Sequence, residues 1–541
     1  MNKKLIIFFV ISFIAFNFFS CSSELKSEEA NKKPNILLIV ADDLGYSDLG
    51  SFGSEIETPN IDALAYEGIR FSKFYASPLC APTRAMLLSG NDNHIAGMGS
   101  MFERTENFGY EKRLTNRVAI IPELLQTQNY HTYMAGKWHL GTDPEANPFN
   151  RGFDQSFINL LGAGNHYNDK GLFAENRITP YTENGKPAKW KDGNYSTDFY
   201  TDKLIEFIDS NLDDDNPFFA FAAYTSPHWP LQVDLKYSQK YQGYYDDGYE
   251  KLKEKRFLNL KRIGMIPKDS EMPPNHEDIK SWDLLSDEEK KSEAKKMELY
   301  AGMVDNLDFN IGRLIKYLKK IGEYENTFIV FMSDNGAAPA DLYNNPKYSE
   351  YIREYFNNDF DNMGNLNSFV SYGPQWAEAS SAPFKFYKGL TTEGGVRAPM
   401  IITGPNINRE NEIYHASLTL MDIAPTFYEI ANINYPKTYN ESELYPLKGN
   451  SILTYLSKKS NQIKESEFVF ELEHNKKAML IRGDWKITNI TEPFNESNFK
   501  LYNLAHDQAE MNDVKSLNPE IYNELLKEWK KFSNEVHLDL E

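Results

Sequence analysis

Two acidic pairs, Asp42-Asp43 and Asp334-Asn335, lie far apart in the chain, yet each closes the same kind of segment, a continuous apolar run of strand length. Together they offer three carboxylates and one amide. An all-oxygen set of that kind suits a hard divalent cation, Ca²⁺ ahead of Mg²⁺, over zinc. Taken singly, an acidic pair is an ordinary solvated turn. Two such pairs converge if their strands are neighbours, because ligands gather beyond the carboxyl ends of strands in open α/β sheets. Lys137 and His139 stand two apart in Gly136-Lys137-Trp138-His139-Leu140-Gly141. In an extended segment that spacing faces both side chains one way and Trp138 the other, pairing a cation for an anionic oxygen with an imidazole for a proton. His228 is held in Ser226-Pro227-His228-Trp229-Pro230, where the flanking prolines restrict the backbone. Lys388 sits in Tyr387-Lys388-Gly389 ahead of Gly394-Gly395, a glycine-rich turn that lets a backbone approach a ligand closely. Each of these is, alone, as readily a surface or loop residue.

Cys80 opens Cys80-Ala81-Pro82-Thr83-Arg84-Ala85-Met86-Leu87-Leu88-Ser89-Gly90. Proline near the start and glycine at the end mark a short helix with Cys80 at its N-terminal mouth, where free amides and the dipole attract an anion and Arg84 adds a full charge. A free cysteine is ordinarily a buried, inert one. The polar and cationic company here argues for chemistry instead. The only other cysteine, Cys21, follows Lys3, Lys4, an apolar run from Leu5 to Phe19 and Ser20. That run is short for a membrane span and reads as an export leader, residues 1–20, with residues 21–33 as a polar tether. Phe18-Phe19-Ser20-Cys21 resembles a bacterial lipobox, which implies a lipid anchor on Cys21 and membrane attachment through it. The expected location is the outer membrane or cell surface, with the periplasm as alternative. An ordinary cleaved secretory signal is the alternative reading of the same residues.

Positioning such residues takes a sheet. Asn35–Val40, Phe218–Ala223 and Thr327–Met332 read as strands buried on both faces. A helix begins at Ser286 with Glu289 completing a capping box and continues at three-to-four spacing to Leu318. Alternating strands and helices predict an α/β layered domain over residues 34–434. Residues 234–282, rich in Tyr, Lys and Asp, read as an excursion bordering the active site. From residue 435 a hairpin around Gly483-Asp484 and a closing helix from Pro519 to Val536 predict a smaller α+β C-terminal domain, residues 435–541. The aromatic content of 14 % supplies a substantial core. The net charge of −20 argues against a nucleic-acid partner, and it means that any anion site must rest on a local cluster of cations.

Cys80-x-Pro82-x-Arg84 followed by Ala85-x-Leu87-Leu88-Ser89-Gly90 resembles the signature of type I sulfatases, in which the cysteine is converted to formylglycine (3-oxoalanine). The remaining motifs, at Asp42, Gly136, Ser226, Ser333 and Tyr387, follow the order of that family. Asn93-His94-Ile95-Ala96-Gly97-Met98-Gly99 and Ser371-Tyr372-Gly373-Pro374-Gln375-Trp376 are similar to bacterial alkyl/arylsulfatases. The resemblance implies an alkaline-phosphatase-like fold, a large mixed sheet flanked by helices. It implies that a hydroxyl of the Cys80-derived hydrate attacks sulfur, with Asp334 as base and a cation held by Asp42, Asp43, Asp334, Asn335 and residue 80. Lys137 and Lys388 would neutralise sulfate oxygens, Arg84 would hold the nucleophile's oxygen, His228 would protonate the leaving group, and His139 would help expel sulfate. A formylglycine-forming enzyme is the implied maturation partner. Aryl sulfates and sulfated carbohydrates, including those of a sulfated polysaccharide, both remain open as substrates. The competing readings are a phosphatase or phosphodiesterase of the same superfamily, whose second-metal ligands are not found among the ten histidines, and a non-catalytic glycan-binding protein.

Overall fold

The computed structural model describes residues 32–407, 409–458 and 468–540. The leader and Cys21 lie outside the described residues. Of the proposed tether, Lys32 is ion-paired with Glu323 and Lys33 donates to the Gln128 side chain at 2.8 Å.

A ten-stranded sheet organises the chain. Its strands, with a short hairpin inserted as β5–β6, are β1 (Asn35–Ala41), β2 (Ile69–Tyr75), β3 (His131–Lys137), β4 (Gln155–Asn159), β5 (Lys170–Phe173), β6 (Asn176–Ile178), β7 (Tyr181–Glu183), β8 (Lys186–Ala188), β9 (Phe218–Ala223), β10 (Thr327–Ser333), β11 (Met400–Thr403) and β12 (Glu412–Thr419). The order is β12-β2-β11-β10-β1-β9-β3-β4-β7-β8, with β10, β1, β9, β3 and β4 mutually parallel. The antiparallel neighbours β11 and β7 make the sheet mixed. All seven residues of β1 are buried, as its unbroken apolar run predicts. Ile36, Leu38 and Val40 enter one hydrophobic core, whereas Leu37, Ile39 and Ala41 enter the other, so helices cover both faces.

Five helices matter for the site: α1 (Cys80–Ser89), α2 (Tyr249–Ile263), α3 (Asp287–Lys320), α4 (Ser349–Tyr355) and α5 (Pro519–Glu535). Ser286 caps α3, and Glu289 returns the bond to the Ser286 amide at 2.7 Å, completing the expected box. Gly90 ends α1 in the left-handed conformation at φ 65°. The stretch 234–282 carries a helix, α2, followed by an irregular segment, and α2 reaches behind the β1 turn instead of lining the cavity described below. At the C-terminus, Val469–His474, Lys477–Arg482, Trp485–Asn489 and Lys500–Asn503 form a separate antiparallel sheet. Tyr522, Leu525, Trp529 and Phe532 of α5 are buried, and they join the core on the α1 side of the large sheet.

Candidate active site

The register of four adjacent strands does the assembling. Ala41 pairs with Ser333, Val40 with Ala223 and Gly136 with Ala223, so β10, β1, β9 and β3 end at one level. The segments leaving these strand ends therefore meet: Asp334-Asn335 after β10, Asp42-Asp43 after β1, the His228 loop after β9, and His139 just beyond Lys137 at the tip of β3. Backbone bonds lock the meeting, with Asp334 N donating to Ala41 O and Asp42 N to Ser226 O, each at 3.1 Å. Gly136 is demanded by this closeness. At φ 119° its missing Cβ would stand 1.8 Å from the Ala223 carbonyl oxygen.

Lys137 Nζ donates to both carboxylate oxygens of Asp42, at 2.8 and 2.7 Å, and both residues are fully buried. Lys388 Nζ bonds Asp43 Oδ1 and lies 3.1 Å from Cys80 Sγ. Arg84 Nη2 reaches Asp334 Oδ2 at 2.9 Å, and its Nη1 reaches the Lys137 carbonyl at the same distance. That guanidinium thus orients Asp334. Asn335 Nδ2 donates to Asp43 Oδ1 at 2.7 Å. His228 is anchored by Nδ1 on the Trp229 carbonyl at 2.7 Å, which leaves Nε2 3.4 Å from Asp43 Oδ2. His166, itself held by Ser196, supports that loop from behind through the His228 carbonyl at 3.0 Å.

His139 departs from the extended geometry expected of it. Its φ is 61°, so β3 ends at Lys137 and the chain turns sharply. The imidazole still reaches the same cavity, packed where a Cβ on Gly162 would meet it at 2.4 Å. The glycines near Lys388 also act differently from expectation. Gly394 and Gly395 make room for carbonyls of their own loop, which would stand 2.3 and 2.0 Å from an added Cβ, rather than for a ligand.

Burial and a crowd of like charges set the electrostatics. Burial, aided by Asp334 and Asp43, pushes Asp42 up to about 7 against the pull of Lys137. Burial also works to raise Asp43, but Lys388, His228 and Lys137 bring it down to about 2. The Cys80 thiol is driven up to about 12, mainly by burial, so an unmodified thiol would be a poor nucleophile at neutral pH. Burial lowers both His139 and His228 well below the ordinary imidazole range; among the charged groups around His228, Asp43 works the other way.

The donors fit a cation. Ligand atoms of Asp42, Asp43, Cys80 and His228 all lie within 4.8 Å of one another. Asp43 Oδ2 and Asn335 Oδ1 are buried without a hydrogen-bond partner, and both are oxygens, the donor type that a hard cation takes. His228 stands in this cluster beside the expected donors, while Asp334 Oδ2 is turned to Arg84.

A family model described as Sulfatase matches residues 34–433. The chain belongs to the sulfatase family. It is 41% identical over 525 residues to an uncharacterized sulfatase of Schizosaccharomyces pombe, covering 94% of each chain. It is 40% identical over 427 residues to an arylsulfatase of Klebsiella aerogenes, covering 78% of this chain and 91% of that one. Among solved structures, Ps i-CgsB in complex with k-i-k-neocarrahexaose superposes with a TM-score of 0.66 at 29% identity, covering 93% of each chain. These neighbours give the sulfatase its alkaline-phosphatase-like fold and make it a sulfuric ester hydrolase.

Motif reading missed the residues that hold this sulfatase's site from outside. Asp48 Oδ2 accepts from Gly45 N at 2.8 Å and from Tyr300 of α3 at 2.6 Å, and its other oxygen pairs with Arg256 of α2, stiffening the turn after β1. Lys486, from the C-terminal sheet, is fully buried between Glu393 and Glu510, each at 2.8 Å, behind the Lys388 loop. Only Asp48, just downstream of the first acidic pair, carried any local signal.

Proposed function

We propose that the protein hydrolyses sulfate monoesters to an alcohol or phenol and inorganic sulfate, through a formylglycine hydrate at position 80. One observation carries this reading: residue 80 opens a buried helix with Lys388 Nζ 3.1 Å from its side chain and Asp42, Asp43 and His228 ligand atoms within 4.8 Å of one another around it. The position is therefore shared between cations that accept an anion and carboxylates that accept a metal.

Asp42, Asp43, Asn335 and Asp334 would hold a divalent cation, calcium by the hardness and number of the oxygens, and when bound it would supply positive charge at the sulfate oxygens and acidify a neighbouring hydroxyl. Lys137 and Lys388 place two further positive charges against the sulfuryl group. Asp334, oriented by Arg84, takes the proton of one hydrate hydroxyl as that oxygen bonds to sulfur. The bond from sulfur to the ester oxygen breaks, and His228, whose Nε2 takes up a proton from solvent once the negative charge of the bound ester offsets the effect of burial, delivers that proton to the departing oxygen. His139 then takes the proton of the second hydroxyl, whose electron pair forms the carbonyl as the carbon–oxygen bond to sulfate breaks. Water rehydrates the aldehyde. The hydrate expels its own sulfate, a step closed to a serine or cysteine ester.

Two relatives point to different substrates: one is an arylsulfatase, the other was solved with k-i-k-neocarrahexaose. Aryl sulfates and sulfated carbohydrates are thus both within the reading. Maturation would need a formylglycine-forming enzyme, and the residues before Lys32 support export with a lipid on Cys21. Sulfate release from p-nitrophenyl sulfate by protein co-produced with such an enzyme tests the function. The expected result is turnover of the sulfate at least about a hundredfold faster than of p-nitrophenyl phosphate; a preference for phosphate would overturn it.

A further inference from the structure

Above residue 80 opens a cavity of about 630 Å³ whose floor carries Cys80, His139, His228 and Lys388. That size lies within the roughly 300–1,000 Å³ typical of small-ligand sites. Its walls differ sharply from its floor. Leu79, Leu161, Leu172, Phe173, Trp229 and Tyr348 supply the sides, and Thr179 is the one buried polar residue among the lining side chains above the floor. Lys112, Glu175, Asn176 and Lys347 also line the cavity, but they stand at its rim, towards solvent.

The aromatic walls are fixed against one another. Phe173, from the β5–β6 hairpin, stands edge-on to Trp229 with ring centroids 5.8 Å apart and lies 5.0 Å from Tyr348 at the entrance to α4. Trp229 in turn stacks on Phe369 at 5.8 Å. Behind them Leu172, Leu342, Ile352, Phe356 and Phe369 form a small core of their own, distinct from the two that flank the large sheet. Trp229 follows His228 directly, with ring centroids 4.2 Å apart. A leaving oxygen at His228 Nε2 therefore places whatever it is attached to among aromatic and aliphatic side chains.

Resting on the sulfate-ester reading above, we propose that this cavity is a leaving-group subsite for a single apolar aryl or medium-chain alkyl body, and that Phe173, Trp229 and Tyr348 determine the specificity. A sugar ring in the same place would bring several hydroxyls against walls whose polar groups are few, Thr179, the Trp229 indole N–H and the Tyr348 hydroxyl, with Lys112, Glu175, Asn176 and Lys347 only at the rim, and it would regain only part of the hydration it loses. A flat ring or an alkyl chain gives up no hydrogen bonds to water there and gains burial.

The test compares octyl sulfate with galactose 6-sulfate, both esters of primary alcohols, with p-nitrophenyl sulfate as the activated control. The expected result is a kcat/KM for octyl sulfate at least about a hundredfold above that for galactose 6-sulfate. Phe173→Ala and, separately, Tyr348→Ala should each lower octyl sulfate kcat/KM about tenfold, mainly through KM, in protein whose melting curve remains cooperative. As a binding readout, 1-octanol should inhibit p-nitrophenyl sulfate hydrolysis competitively and galactose should not. Hydrolysis of p-nitrophenyl sulfate with equal or better use of galactose 6-sulfate would overturn the subsite while leaving the hydrolase reading intact. No hydrolysis of any sulfate by fully formylglycine-converted protein would overturn both.

Discussion

The floor and the walls of one cavity are built on opposite plans. The floor is charged and buried: the acidic pairs, His139 and His228 leave the ends of four parallel strands, and Cys80 at the mouth of α1 and Lys388 in its loop close on them. The walls are apolar, half-buried and assembled from a hairpin, a loop and α4, with a small private core behind them. The groups gathered around residue 80 are held by fully buried strand ends and by the helix that opens at residue 80. Groups that choose the leaving group sit where sequence can change without disturbing the strands. The chemistry and its selectivity are thereby separable, and substitutions should separate them.

The largest effect belongs to the floor. Cys80→Ala should lower kcat/KM for p-nitrophenyl sulfate by more than about a thousandfold with little change in Tm, because it removes the reacting group and only one buried heavy atom. Lys137→Met should lower activity about a hundredfold or more and also destabilise the fold by about 3–5 kcal/mol, since it strands the Asp42 carboxylate without its partner. Differential scanning fluorimetry beside steady-state kinetics distinguishes these two signatures. Chelation should resemble a floor defect: dialysis against EDTA is expected to abolish turnover and lower Tm, with both restored by added Ca²⁺.

The floor was legible in the sequence and the walls were not, for a physical reason. Asp42-Asp43, Lys137, His228, Asp334-Asn335 and Lys388 each sit in a short contiguous segment with a steric or chemical requirement that leaves a local trace. Phe173, Trp229 and Tyr348 come from three segments and need only be large and apolar, a property shared with much of the chain. The conformation of His139 escaped because a left-handed turn after β3 overrides the alternation of an extended strand. The helix Tyr249–Ile263 was hidden by its high charge, and the role of Arg256 there depends on Asp48, 208 positions earlier in the chain.

A wall defect should be smaller and selective. Ile352→Ala, in the satellite core, is expected to raise KM for octyl sulfate several-fold while kcat for p-nitrophenyl sulfate changes less than about twofold, because the cavity it leaves relaxes within α4 and its neighbours rather than in the sheet. A large loss of kcat on both substrates would mean that wall and floor are mechanically one.

The smallest effect on activity gauges the scaffold away from both. His94 is buried between Asp92 and Glu473, at 3.1 and 2.9 Å; burial would lower it, but the two carboxylates raise it to about 9. Its folded value lies above the ordinary 6.5 of the unfolded chain, so the stabilisation is fully present below pH 6.5 and is lost as pH rises through about 9. The contribution is on the order of 3 kcal/mol. Tm should fall between about pH 6.5 and 9.5, and His94→Gln should flatten that slope while lowering Tm at about pH 6.

Everything proposed for the floor requires residue 80 to work as an aldehyde hydrate and not as a thiol. Samples with graded conversion, made by varying co-production of a formylglycine-forming enzyme, can be measured by mass spectrometry of the residue 80 peptide and assayed in parallel. The expected outcome is that kcat per total protein rises in proportion to the formylglycine fraction and extrapolates to zero without it. Full activity in protein whose residue 80 is wholly unmodified cysteine would contradict it.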